Sequence, residues 1–258
     1  MTLITLAHGS RHPLAGEAIS ELTAAAGALL GAQACAAHLE LCNPSLPELA
    51  ARLVRCGECS AVVVPLLFTR AYHARHDVPR ALRAARESGL DLTLAPSLGL
   101  GLEVESVVAR VVASDADPDA HLVFYSVGSS QPGANAAVAA LCSRVARRTG
   151  RGHTVVYATG VGPGVGIAGL HEAARRYERL HLVPLFVAPG LLLDKALAAV
   201  PGIAALRGAT VGASRPLGAL LAPLVRQRYL EAGGAVGGVV GGAREQAHVI
   251  EQAQRRAA

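Results

Sequence analysis

The sequence predicts an α/β protein of two similar lobes, each a four-stranded, mainly parallel sheet flanked by helices. Short apolar runs alternate with helical patterns along all 258 residues, as strand–helix–strand units require. The chain is 52% hydrophobic but only 3% aromatic and has no tryptophan, so its core must be built from small aliphatic side chains that suit buried parallel strands. The pattern also recurs at a constant offset. Gly9-Ser10 falls on Gly128-Ser129, Pro13 on Pro132, Pro44 on Pro163, "VPLLF" (64–68) on "VPLFV" (183–187) and Leu98-Gly99 on Leu217-Gly218.

Taken in order, the first-half strands are "LITLA" (3–7), "AAHLEL" (36–41), "AVVVPLLF" (61–68) and "LTLAP" (92–96). The second-half strands are "HLVFYSV" (121–127), "HTVVYAT" (153–159), "LHLVPLFV" (180–187) and "ATVGAS" (209–214). Asp77 stands before Val78-Pro79 and "RALRAARES", so it reads as the N-cap of a helix with proline in its first turn. The acidic, proline-containing stretch "SDADPDA" (114–120) reads as a linker. It divides a first domain, 1–116, from a duplicated second domain, 120–232. Residues 233–258 have no first-half counterpart, and their glycines predict a flexible tail ending in a short helix.

Composition excludes several classes of function. Residues 1–119 hold nine Lys or Arg against 13 Asp or Glu, whereas residues 120–258 hold 15 against six, so the positive field belongs to the second half. The aromatic interleaving needed to stack bases is missing, which favours a small polyanionic ligand over nucleic acid. Five irregularly spaced cysteines suit a reducing cytosol, and the single Cys56-Gly-Glu-Cys59 pair reads as a helix-to-strand loop, not half of a zinc site. No signal peptide and no membrane-length apolar run is apparent, so a soluble, cytoplasmic protein is expected.

Candidate chemistry clusters at strand ends. His8 follows the first strand, Glu40 closes the second and His73 follows the third, and open parallel sheets build their sites on that rim. Two imidazoles and a carboxylate could hold a divalent metal or move a proton. At the repeat offset His8 meets Val127, Glu40 meets Thr159, His73 meets Leu192 and His76 meets Lys195, so the first half alone is expected to keep the chemistry. His12, His38 and the remaining histidines have no comparable context and read as structural or surface groups. Gly164-Val-Gly166-Ile-Ala-Gly169 satisfies a dinucleotide fingerprint, but the next strand ends without the acidic residue that would hold a ribose. Serine-hydrolase and P-loop readings lack the GxSxG elbow and the loop lysine that they require.

Together "LAHGSRHP" (6–13), "HLELCNPSLPEL" (38–49) and "VVVPLLFTRAYHARHDVP" (62–79) resemble the sirohydrochlorin chelatases, which insert iron or cobalt into a tetrapyrrole without ATP. "LVPLFVAPGLLLDKAL" (182–197) resembles the degenerate second domain of the two-domain members, and the resemblance covers roughly residues 1–232. It implies that His8 and His73 are the catalytic and metal-binding pair and that Glu40 is a further catalytic acid. Ala71 departs from the glycine usual among relatives. The divalent metal, Fe2+, Co2+ or Ni2+, is then substrate, with no permanently bound cofactor. Its partner is a polycarboxylate tetrapyrrole, with no nucleic acid or membrane involved and a monomer or homodimer as the working form. Ser10, Arg11, Arg70 and Arg75 on the first lobe and Arg215 opposite are the expected carboxylate contacts.

Overall fold

The computed structural model describes residues 1–69, 76–162 and 164–235. Thr2–Ala7 (β1), Ala34–His38 (β2), Ser60–Pro65 (β3) and Asp91–Leu94 (β4) form one sheet in the order β2-β1-β3-β4. His121–Ser126 (β5), His153–Tyr157 (β6), Arg179–Pro184 (β7) and Thr210–Ala213 (β8) form the second in the order β6-β5-β7-β8. Every pairing is parallel. Each second-half strand begins and ends 119 residues after its first-half counterpart, so the sequence repeat is a structural one.

The strands form where the sequence is apolar enough to be covered on both faces. All six residues of β1 are buried, including Leu3, Ile4 and Leu6 with no exposure. Helix α1 (Ala15–Leu30) buries Ala15, Ile19, Leu22, Ala26 and Leu30, the three- and four-residue spacing of a single helical face, and stops at Gly31 in the left-handed conformation. Helix α2 (Leu46–Arg55) starts with a capping box. The Ser45 hydroxyl accepts from the Glu48 N–H at 3.4 Å while the Glu48 carboxylate accepts from the Ser45 N–H at 2.8 Å. Those bonds hold the Glu48 carboxyl below its ordinary range. Helix α3 (Val78–Arg86) starts where expected, but Asp77 makes no side-chain cap; its carboxylate pairs with Arg80 at 3.1 Å.

Helix α4 (Leu102–Asp115) ends the first repeat but packs on α5 (Pro132–Thr149) of the second. Helices α6 (Gly166–Arg176) and α7 (Leu191–Arg207) pack on each other within the second repeat. After the 3₁₀ turn Gly218–Leu221, α8 (Ala222–Glu231) returns to pack on α1 of the first. Each repeat therefore lends its last helix to the other, and one hydrophobic cluster runs through both halves, from Leu3 and Leu22 to Phe124 and Val225. Two smaller clusters fill the outer faces, one per lobe.

Polar groups reinforce the exchange. Arg144 of α5 donates to the buried Glu105 carboxylate of α4 at 2.8 Å and to the Leu100 carbonyl at 2.7 Å. Arg228 of α8 donates to the Ser97 and Leu98 carbonyls, and the Tyr229 hydroxyl to the Met1 carbonyl at 2.6 Å. The linker after α4 is the short stretch 116–120. Residues 236–258, most of the expected tail, lie outside the described residues, as do 70–75 and Pro163.

Candidate functional site

In each sheet the chain runs from the central strand outward and then crosses back over it, so a crevice opens between β1 and β3, and between β5 and β7, at their carboxyl ends. The two crevices face one cavity of about 870 Å³. Residues 7–11 and 66–69 line it from the first half, and residues 126–131 and 185–192 from the second.

His8 is the first residue beyond β1. Its Nε2 lies 3.3 Å from Glu40 Oε1, with both side chains part-exposed at 37% and 54%. The backbone repeats the tie, since the Glu40 N–H donates to the His8 carbonyl at 3.0 Å. Glu40 sits past the end of β2, which closes at His38 rather than running on to residue 41 as the apolar pattern suggests. The chain turns there through Leu41, a non-glycine residue at φ 65° whose side chain is half exposed on the cavity. Gly9, at φ 98°, is required because a Cβ would overlap the Glu40 carbonyl oxygen.

Ser10 and Arg11 also line the cavity. The Cys42 thiol donates to the Ser10 carbonyl at 3.0 Å and accepts from its N–H at 3.4 Å, pinning this loop to the one that carries Glu40. His73, Arg70 and Arg75 lie outside the described residues. Arg215 is exposed beyond β8, the edge strand of its sheet, and does not reach the cavity, which opens over the central strands.

Sequence reasoning passed over two histidines. His38, the last residue of β2, lines the cavity although it is only 4% exposed, and neither ring nitrogen has a hydrogen-bond partner among the described residues. Burial pushes its pKa below the ordinary value, which keeps the ring neutral. His12 joins the lobes. Its Nδ1 accepts from the Leu14 N–H at 3.1 Å, and its Nε2 meets Asp194 in the first turn of α7 at 3.0 Å. Its place in "HGSRHP", between the site loop and α1, was the available signal; its partner is 182 positions away and left none.

The glycine loop 164–169 has a packing explanation. It follows β6, an edge strand, and a Cβ at Gly169 would come within 2.8 Å of Val156 Cγ1 and 2.6 Å of the Gly164 carbonyl. These are close contacts of helix on strand, and neither Gly164 nor Gly166 lines the cavity. Among the described residues no three His, Cys, Asp or Glu side chains stand close enough to hold a metal, so His8 and Glu40 form a pair. A neutral imidazole beside a carboxylate can donate a lone pair to a metal or accept a proton.

The fold is that of the two-lobed chelatases. SirB from Bacillus subtilis subspecies spizizenii in complex with cobalt aligns over 90% of this chain and 92% of its own, with a TM-score of 0.69 at 20% identity. SirB from Bacillus subtilis with Fe3+ aligns over 90% and 93%, with a TM-score of 0.68 at 20% identity. Residues 2–115 match the CbiX family model. A sirohydrochlorin cobaltochelatase of Saccharolobus solfataricus is 34% identical over 82 residues, 29% of this chain. The alignment spans 64% of that relative's length.

Proposed function

We propose that the protein inserts a divalent metal, Fe2+ or Co2+, into sirohydrochlorin. The observation that carries this reading is the His8–Glu40 pair, whose His8 lines a cavity large enough for a tetrapyrrole and walled in large part by Leu, Val, Phe and Ala. The CbiX match covers that half, and the relatives of the same fold include SirB with cobalt and with Fe3+. Both walls come from one chain, so a single molecule carries a complete cleft.

His8 and His73 hold the incoming metal through neutral imidazole nitrogens, His73 on the strength of its motif. Metal entry displaces two pyrrole N–H protons, and Glu40, 3.3 Å from His8 Nε2, or one of the histidines accepts them. Arg11 and Ser10, which line the cavity, meet peripheral carboxylates of the substrate. Activity falls at acid pH because protonated imidazole has no lone pair to give. The metal is substrate, no resident cofactor takes part, and the reaction runs in the cytoplasm without nucleic acid. No helix among the described residues is long and apolar enough to cross a membrane.

The test is the visible spectrum of sirohydrochlorin mixed with Co2+ or Fe2+, with and without protein. Wild type accelerates the spectral change, whereas His8→Ala and His73→Ala return it to the spontaneous rate. Unchanged rates in both variants would defeat the assignment, and tight binding of metal and tetrapyrrole without acceleration would make the protein a carrier.

A further inference from the structure

The second half keeps the backbone of the site and replaces its chemistry. At the repeat offset Val127 stands for His8, Gly128 for Gly9, Thr159 for Glu40 and Leu192 for His73. The Thr159 N–H donates to the Val127 carbonyl at 2.9 Å, as Glu40 does to His8 at 3.0 Å, and Ala158 donates to Ser126 as Leu39 does to Ala7. Gly128 has φ 87° against 98° for Gly9. The peptide that presents His8 is therefore rebuilt around Val127.

The side chains tell a different story. The Thr159 hydroxyl is turned onto the Val127 carbonyl at 2.7 Å, which occupies its donor. Val127 remains 43% exposed and Leu191 51%, and both line the cavity with Leu192. A contiguous exposed aliphatic patch, unlike a single exposed aliphatic residue, marks a ligand-binding surface. These three are aliphatic where their counterparts in the first half are Tyr72, His8 and His73.

We propose that Val127, Leu191 and Leu192 form an apolar platform for one flat face of the tetrapyrrole, opposite the face that meets His8. The inference rests on the function proposed above and assigns the second half-site a part in it. A tetrapyrrole is flat and apolar across both faces, with its charge at the perimeter. A metal-ligating wall on one side and an aliphatic wall on the other seats the ring by dispersion and area burial. The aliphatic wall offers no lone pair, so metal reaches the ring nitrogens from the first-half side alone.

The experiment titrates metal-free sirohydrochlorin into the full chain by absorbance, and separately Co2+ by calorimetry without tetrapyrrole. Val127→Ala weakens sirohydrochlorin binding about threefold through lost apolar contact. Val127→Asp weakens it at least about tenfold, since a carboxylate is then held against an apolar face near like charges. Val127→Ile restores wild-type affinity. Co2+ affinity stays at the wild-type value in all three, while His8→Ala shows the reverse pattern. Sirohydrochlorin binding by Val127→Asp within twofold of wild type overturns the platform and leaves the chelatase reading standing. A wild type that binds Co2+ but no sirohydrochlorin overturns both. Folding does not confound the comparison, because position 127 is an exposed loop residue and circular dichroism of each variant checks it.

Discussion

Gly9→Ala is the sharpest test of how the fold builds the His8–Glu40 pair. Gly9 sits at φ 98°, where an L side chain costs roughly 1–2 kcal/mol. Its new Cβ would also overlap the Glu40 carbonyl oxygen, so the 40–42 turn must move away. That movement lengthens the bond from the Glu40 N–H to the His8 carbonyl, worth about 1 kcal/mol net. The sum is about 2–3 kcal/mol, which for a chain of this size lowers Tm by roughly 5–10 °C. It also separates the His8 and Glu40 side chains, now 3.3 Å apart, so Co2+ affinity falls along with stability. Gly128→Ala serves as the internal control. Its Cβ would meet the Thr159 carbonyl at a less severe 2.7 Å, so stability drops less and Co2+ affinity holds. Differential scanning calorimetry and isothermal titration of the two variants read both quantities. A Gly9→Ala protein with Tm within 1 °C of wild type and unaltered Co2+ affinity would refute the reasoning, where that 1 °C margin stands for roughly 0.3 kcal/mol.

Two further outcomes follow from the same packing. Arg144→Leu strands the buried Glu105 carboxylate between the lobes and costs about 2–3 kcal/mol, below the full range for a buried pair because Arg144 is 31% exposed and Arg148 stands 3.8 Å from Glu105. The double variant Arg144→Leu/Glu105→Leu recovers part of the loss in urea melts, and a double variant no more stable than the single would count against it. His38, His121, His153 and His181 all have pKa values lowered, chiefly by burial. The unfolded chain therefore binds protons that the folded chain refuses, so stability is complete above the ordinary histidine value of 6.5 and declines as pH falls from there toward the lowered folded values. Thermal melts between about pH 8 and pH 5 measure the slope; His38→Leu makes it shallower, and a flat profile would contradict the burial argument.

Much of this molecule could be read from one dimension. Strand positions follow from short aliphatic runs, and the 119-residue repeat survives because both copies must bury the same parallel sheet. His8 and Glu40 were legible because strand ends on a parallel sheet share a rim, and the local sequence says where each strand ends to within a few residues. That precision has limits. β2 closes three residues before the apolar pattern does, and only the turn at Leu41 shows why Glu40 faces His8 instead of continuing the strand.

What sequence alone determined is set by local and periodic constraints: two α/β repeats, their strands and the asymmetry of their polar groups. Tertiary structure decided what depends on which surfaces meet. The exchange of α4 and α8 between lobes, the Arg144–Glu105 bond and the His12–Asp194 contact join residues far apart in the chain, and no periodicity encodes such partners. Arg215 follows the carboxyl end of a strand, but strand order puts that strand at the edge, away from the residues that line the cavity. His38 read as a structural or surface histidine; it is buried, and the crevice between the two lobes makes it part of the cavity wall as well.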